Sequence, residues 1–125
     1  MIKELIEKAT AAKENAYAPY SEFRVGAALL TENGKIYTGC NVENASYPVG
    51  ICAERVAVSK AVSDGEMTFR AIAIAGNEEY YCSPCGMCRQ FMSEFCDSDF
   101  KIILARTIDD YKVLTMKELL PYAFE

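Results

Sequence analysis

The chain has 125 residues, 51% of them apolar, which is enough for a single domain over 1–125 to bury a real core. It carries 13 Lys and Arg against 18 Asp and Glu, for a net charge of −5, and has no basic cluster. That balance excludes the electrostatic footprint of a nucleic-acid binder and of a protein that adsorbs to anionic lipid. No run of about eighteen apolar residues is present to span a membrane, and six cysteines behind an acidic, amphipathic N-terminus unlike an export signal read as reduced thiols in a cytoplasmic protein.

Ile2, Leu5, Ile6 and Ala9 recur at helical spacing and predict an amphipathic helix over 2–15. Ala18-Pro19-Tyr20-Ser21 breaks it. Residues 25–31 read as an apolar strand, Glu32-Asn33-Gly34 as a hairpin turn, and 35–40 as the antiparallel partner. The Asn-, Ser-, Pro- and Gly-containing stretch 41–51 has no period and reads as a loop. Residues 52–63 predict a second helix, with Gly65 as its stop. The apolar run 71–75, ended by Gly76, reads as a buried strand.

Ser83 as cap and Pro84 as first helical residue then predict a third helix, with Met87, Phe91 and Phe95 as its apolar stripe. Residues 101–105 read as a further strand and 111–114 as an edge strand. Thr115 and Glu118 form a capping-box pattern for a short last helix. Strands alternating with helices after residue 51 imply parallel pairing through crossovers, and the hairpin adds an antiparallel pair. The expected fold is α/β: a mixed five-stranded sheet in a three-layer α/β/α sandwich.

The chain contains no histidine, so a metal site must use thiolates, with carboxylates as the only other strong ligands. Cys85 and Cys88 lie three apart at a helix start, which puts both sulfurs on one face, and Cys52 begins the other helix. The positive ends of two helices favour thiolate over thiol. Three thiolates beside a carboxylate form the layout of a catalytic zinc centre with one position open to water.

Glu54, in the first turn after Cys52, is suited to general acid–base work on that water. Its plainer reading is an acidic residue favoured by a helix N-terminus. Three thiolates on a dication leave a net charge of −1, which Arg55, three residues after Cys52, offsets if it hydrogen-bonds the sulfurs; Arg89, one residue after Cys88, is the other candidate. Two rival layouts use the same residues. One is a closed structural zinc site with Cys82 or Cys40 as fourth sulfur. The other is an iron–sulfur segment on Cys82, Cys85 and Cys88, which leaves Cys52 and Glu54 without a role. Cys40 and Cys96 otherwise read as ordinary buried cysteines.

Four blocks carry a resemblance: Tyr17-Ala18-Pro19-Tyr20-Ser21-Glu22-Phe23-Arg24-Val25-Gly26-Ala27-Ala28-Leu29, Asn41-Val42-Glu43-Asn44-Ala45-Ser46-Tyr47, Cys52-Ala53-Glu54-Arg55, and Pro84-Cys85-Gly86-Met87-Cys88-Arg89-Gln90. At these residues the sequence resembles the cytidine deaminases, in the small homotetrameric type that uses three cysteines. The last two blocks mark the wider zinc-deaminase superfamily, and the first two narrow it to free nucleosides. The chemistry is the zinc-deaminase template of the nucleobase deaminases.

The resemblance implies a cytidine deaminase-like fold and one Zn2+ held by Cys52, Cys85 and Cys88. Water activated by the zinc attacks C4 of cytosine while Glu54 shuttles the proton, which converts cytidine and 2′-deoxycytidine to uridine and 2′-deoxyuridine plus ammonia. It implies that Phe23 stacks on the pyrimidine, that Asn41 and Glu43 bind ribose hydroxyls, and that Ala53 contacts the substrate. It further implies that Tyr47 and Phe124 act across subunit interfaces of a homotetramer, and that Arg55 and Gln90 support the ligands. Rival substrates within the superfamily are a related aminopyrimidine and nucleic acid, the latter disfavoured by the acidic charge. Cys82 is an added thiol beside the ligand pair.

Overall fold

The computed structural model describes residues 1–125. Helix α1 (Ile2–Lys13) buries Leu5, Ile6 and Ala9 along one stripe. It ends two residues earlier than its period suggests, because the amides of Glu14 and Asn15 bond back to Ala11 and Ala12, a tighter three-residue spacing.

The sheet contains β1 (Gly26–Thr31), β2 (Ile36–Cys40), β3 (Phe69–Ala75), β4 (Lys101–Thr107) and β5 (Asp110–Thr115), in the order β2-β1-β3-β4-β5. The parallel pair is β3 with β4, joined through helix α3 (Gly86–Ser93), and the other pairings are antiparallel. The central strands β1 and β3 read as nearly continuous apolar runs because both faces of the sheet are covered. Ala28, Leu30, Ala73 and Ile103 face α1. Leu29, Ile72, Ile74, Ile102 and Leu104 face the opposite layer, made of α2 (Ala53–Ser63), α3 and α4 (Met116–Leu119). The result is the expected three-layer α/β/α sandwich. No helix is long and apolar enough to cross a membrane.

Helix α4 begins on the anticipated reciprocal cap: Glu118 N–H donates to Thr115 Oγ1 at 3.2 Å, and Thr115 N–H donates to Glu118 Oε1 at 2.9 Å. The segment 41–51 is more ordered than its composition suggests. Val42 and Ile51 exchange both backbone hydrogen bonds at 2.9 Å, and a 3-10 turn (Tyr47–Val49) fills the excursion between them.

Helix α3 corrects two expectations. It starts at Gly86 with Cys85, not Ser83, as its extended cap residue. The cause is Arg89, whose guanidinium donates to Pro84 O at 2.8 Å and to Ser83 Oγ at 3.1 Å, so that Ser83 and Pro84 are held outside the helix. The buried stripe is Cys88 and Met92 rather than Met87. Turning Cys88 inward, toward the other cysteines, rotates Met87 to the surface, where it is 61% exposed.

Candidate metal centre

Cys52 and Cys85 occupy equivalent positions: each is the extended residue just before a helix, at φ −82°, ψ 156° and φ −67°, ψ 163°. Cys88 follows within the first turn of α3 and is fully buried. Two helix N-termini therefore meet, and their unpaired amides and dipoles favour negative charge at the junction. Cys52 Sγ lies 3.8 Å from Cys85 Sγ, Cys85 Sγ lies 3.4 Å from Cys88 Sγ, and all three sulfurs are within 4.8 Å of one another.

Sulfurs at the corners of a tetrahedron with Zn–S bonds of ~2.3 Å stand ~3.8 Å apart. The trio therefore has the spacing and the donor chemistry of three zinc ligands, and it is positioned to hold a metal ion. Cys82 and Cys40 stand outside the group, so no fourth sulfur closes it. Cys85 is exposed into a cleft of about 500 Å3, which keeps one side of the trio open.

Arg55 lines the same cleft and directs Nη2 to Gly50 O at 3.3 Å and to Cys52 Sγ at 3.9 Å. Burial acts against its charge, but the Cys52 and Cys88 sulfurs outweigh that and raise its pKa. Its Nε is buried with no protein partner. The Cys52 thiol is lowered to about 5, first by its bond with Cys88 and then by Arg55, while Cys88 is pushed up by sharing its proton with Cys52. Negative charge is thus favoured on Cys52, and Arg55 is the cation set against it.

Glu54 is only 4% exposed although it carries a carboxyl group. Burial pushes that carboxyl from 4.5 up to about 7; its own backbone amide opposes the shift and the Cys52 thiolate adds to it. A buried acid poised near neutrality beside a metal-ligand set suits proton transfer in both directions. Ala53, between Cys52 and Glu54, is fully buried, and its only polar groups are those of the backbone.

The other wall of the cleft comes from Tyr20 and Ser21 of the loop 17–25 and from the 41–51 segment. Asn41 Oδ1 accepts from Val25 N–H at 2.9 Å, and its Nδ2 donates to Phe23 O at 2.9 Å. Glu43 Oε1 accepts from the amides of Tyr20 at 3.0 Å and Ser21 at 3.1 Å. The hydrogen bonds from Ser21, its hydroxyl first, hold the Glu43 carboxylate below its usual range. Asn41 and Glu43 both line the cleft, as does Tyr47, which is 76% exposed and packs edge-to-face on Tyr20 at 6.1 Å.

Ala53, Glu54 and Cys88 are buried and do not line the cleft, and Phe23, Gln90 and Phe124 are directed elsewhere. Phe23 stacks on Tyr80 instead, with centroids 5.9 Å apart and planes 10° from parallel, and it lines a separate depression beside Gly76. Gln90 does not reach the cysteines; its Nε2 donates to Phe124 O at 3.0 Å and tethers the C-terminal segment. Phe124 is 83% exposed, away from the cleft of its own chain. Arg89, the alternative to Arg55, ties the α3 start to α4 through Leu119 O at 2.8 Å. Sequence reasoning passed over Tyr20, Ser21 and Met87, which all line the cleft. A serine two residues ahead of a bonded amide is a turn signal that marks Ser21, whose Oγ accepts from Phe23 N–H at 3.0 Å.

Residues 1–104 match the family model described as the cytidine and deoxycytidylate deaminase zinc-binding region. The chain is 48% identical over 123 residues to the cytidine deaminase of Sporosarcina psychrophila, covering 98% of this chain and 90% of that one. It is 41% identical over 118 residues to the cytidine deaminase of Mycobacterium tuberculosis, covering 93% and 84%. Its structure resembles a crystal structure of the cytidine deaminase from Burkholderia pseudomallei with a TM-score of 0.92, at 48% identity and 97% coverage of both chains.

Proposed function

The chain belongs to the cytidine and deoxycytidylate deaminase family, and we propose that residues 1–125 act as one domain that hydrolyses cytidine and 2′-deoxycytidine to uridine and 2′-deoxyuridine plus ammonia, a pyrimidine-salvage reaction. The observation that carries this reading is the buried Glu54 carboxyl beside three sulfurs that lie within 4.8 Å of one another, of which Cys52 and Cys85 line a cleft.

Cys52, Cys85 and Cys88 would hold the zinc, which would supply Lewis-acid activation of water at neutral pH. Glu54 accepts a proton from the attacking water and delivers it to N3 of cytosine; it then takes the second proton of that oxygen, now a hydroxyl on C4, and passes it to the amine, so that the C4–N bond breaks, the C4 carbonyl forms and ammonia leaves. A carboxyl held near 7 suits both directions of transfer, since the best catalytic acid or base titrates near the working pH. Arg55 offsets the excess charge of the three thiolates, which keeps water activation effective.

Asn41 and Glu43 bind the sugar. Each has protein partners on part of its hydrogen-bonding capacity: Asn41 retains a donor on Nδ2 and an acceptor position on Oδ1, and Glu43 retains one acceptor position. Ala53 meets the base through its backbone. The exposed aromatic rings of Tyr47 and Phe124 support a homotetramer whose subunits share active sites, because large exposed aromatics mark contact surfaces. The six unpaired cysteines support a reducing, cytoplasmic setting.

The test is direct. Purified protein carrying about one zinc per chain is added to cytidine, and the loss of cytidine absorbance is followed together with ammonia release. Activity that disappears with a zinc chelator and returns with zinc supports the reading. A zinc-loaded, folded protein that leaves cytidine unchanged overturns it.

A further inference from the structure

We propose that Ser21 is a positioning residue for the sugar half of the substrate: its hydroxyl occupies one flank of Glu43 Oε2 and leaves the other flank to a single sugar hydroxyl. The proposal deepens the reading that Glu43 meets the sugar, and rests on it. Oε1 of Glu43 is engaged by two backbone amides, those of Tyr20 at 3.0 Å and Ser21 at 3.1 Å. Oε2 receives the Ser21 hydroxyl. Ser21 Oγ in turn accepts from Phe23 N–H at 3.0 Å.

The direction of this relay is fixed. A backbone amide only donates and an ionised carboxylate only accepts, so the hydroxyl proton of Ser21 must point at Glu43. A carboxylate offers about four acceptor positions, and the loop uses three. The one that remains lies on Oε2, in the wall of the cleft that Ser21 and Glu43 both line. The turn that places Ser21 contains Glu22 in the left-handed region at φ 58°, and the Phe23–Ser21–Glu43 relay spans it. The carboxylate is therefore aimed before any sugar arrives. It selects a hydroxyl that donates, and it has room for one such hydroxyl rather than a vicinal pair.

The experiment measures kcat and KM for the wild-type enzyme, Ser21→Ala and Ser21→Thr on cytidine, 2′-deoxycytidine, 3′-deoxycytidine and 2′,3′-dideoxycytidine. Ser21→Ala is expected to raise KM for cytidine about tenfold, the scale of one hydrogen bond, with kcat little changed. That penalty should vanish on the monodeoxy nucleoside that lacks the hydroxyl bound by Glu43, and on the dideoxy nucleoside. Ser21→Thr, which keeps the hydroxyl, should restore KM. Equal losses on every nucleoside, a loss confined to kcat, or no loss at all overturns the proposal. A wild-type protein inactive on cytidine would strike the deaminase reading itself. An active wild type whose Ser21→Ala defect ignores the sugar strikes only the role of Ser21.

Discussion

Gly39 of β2 lies directly beneath Ala53 of α2: a Cβ built on Gly39 would stand 2.5 Å from Ala53 O and 2.7 Å from Ala57 N. Both are backbone atoms of the turn that carries Cys52 and Glu54, so neither can swing aside as a flexible side chain would. The first turn of α2 is pressed onto the sheet because nothing projects there. Gly39→Ala should push that turn outward, costing about 2 kcal/mol by overpacking and spreading the sulfur trio. Gly34→Ala is the control: Gly34 sits at φ +90° in the hairpin turn with open space around it, so the change strains the backbone far from the cysteines. Both variants should melt at lower temperature, but only Gly39→Ala should release zinc to a competing chelator. Wild-type zinc retention in Gly39→Ala would show that this contact does not set the ligand geometry.

Glu54→Gln removes the titrating group and keeps the shape. Because Glu54 is held near neutrality by burial and makes no ion pair, the amide fits the same site without stranding a charge. Zinc content and melting temperature should stay close to wild type, while kcat falls by about 10²-fold to 10⁴-fold, the range of general acid–base catalysis. Turnover within a few-fold of wild type would remove Glu54 from the proton path.

The elements that sequence reasoning reads correctly are those set by local chemistry. Glu32-Asn33-Gly34 demands a turn, 71–75 is a continuous apolar run, and Thr115 with Glu118 is a reciprocal cap; each is enforced within a few residues. The cysteine trio is legible for a similar reason, since a thiol at a helix start has few other purposes when three occur and histidine is absent. What local reasoning misses is fixed at long range. The loop 17–25 has no period, and its shape is imposed by Asn41 and Glu43 from 16 to 23 residues away. Phe23 is carried with that loop onto Tyr80, a partner no spacing rule reveals. Ser83-Pro84 satisfies the local rule for a helix start, yet Arg89, six residues on from Ser83, claims the serine hydroxyl and defers the helix to Gly86.

Cys96 supplies a pH dependence of stability remote from the metal ligands. Burial, with Asp97 adding to it, pushes its thiol from 9.0 up to about 12 in the folded protein. Below about pH 8.5 the thiol is protonated both folded and unfolded, and its contribution is fully present. Above that pH the unfolded chain releases the proton while the folded protein retains it, so stability falls as pH rises toward 12. The midpoint of denaturant unfolding should therefore drop across this alkaline window, and Cys96→Val should flatten the drop. An unchanged alkaline slope in Cys96→Val would assign the effect to other groups.

Phe124 and Glu54 should complement each other between chains. Phe124 is exposed and lies away from its own cleft, so a trans role predicts that Phe124→Ala impairs the neighbour's site and leaves its own Glu54 intact. Glu54→Gln does the reverse. Each variant alone should be nearly inactive. Refolded together in equal amounts, they should regain activity, because roughly one site in four combines an intact Glu54 with an intact Phe124 from the adjoining copy of a closed oligomer. Mixing without refolding should give nothing until subunits exchange. If the refolded mixture is no more active than the average of its two components, Phe124 serves its own chain or none, and the shared-site reading fails while Glu54 chemistry stands.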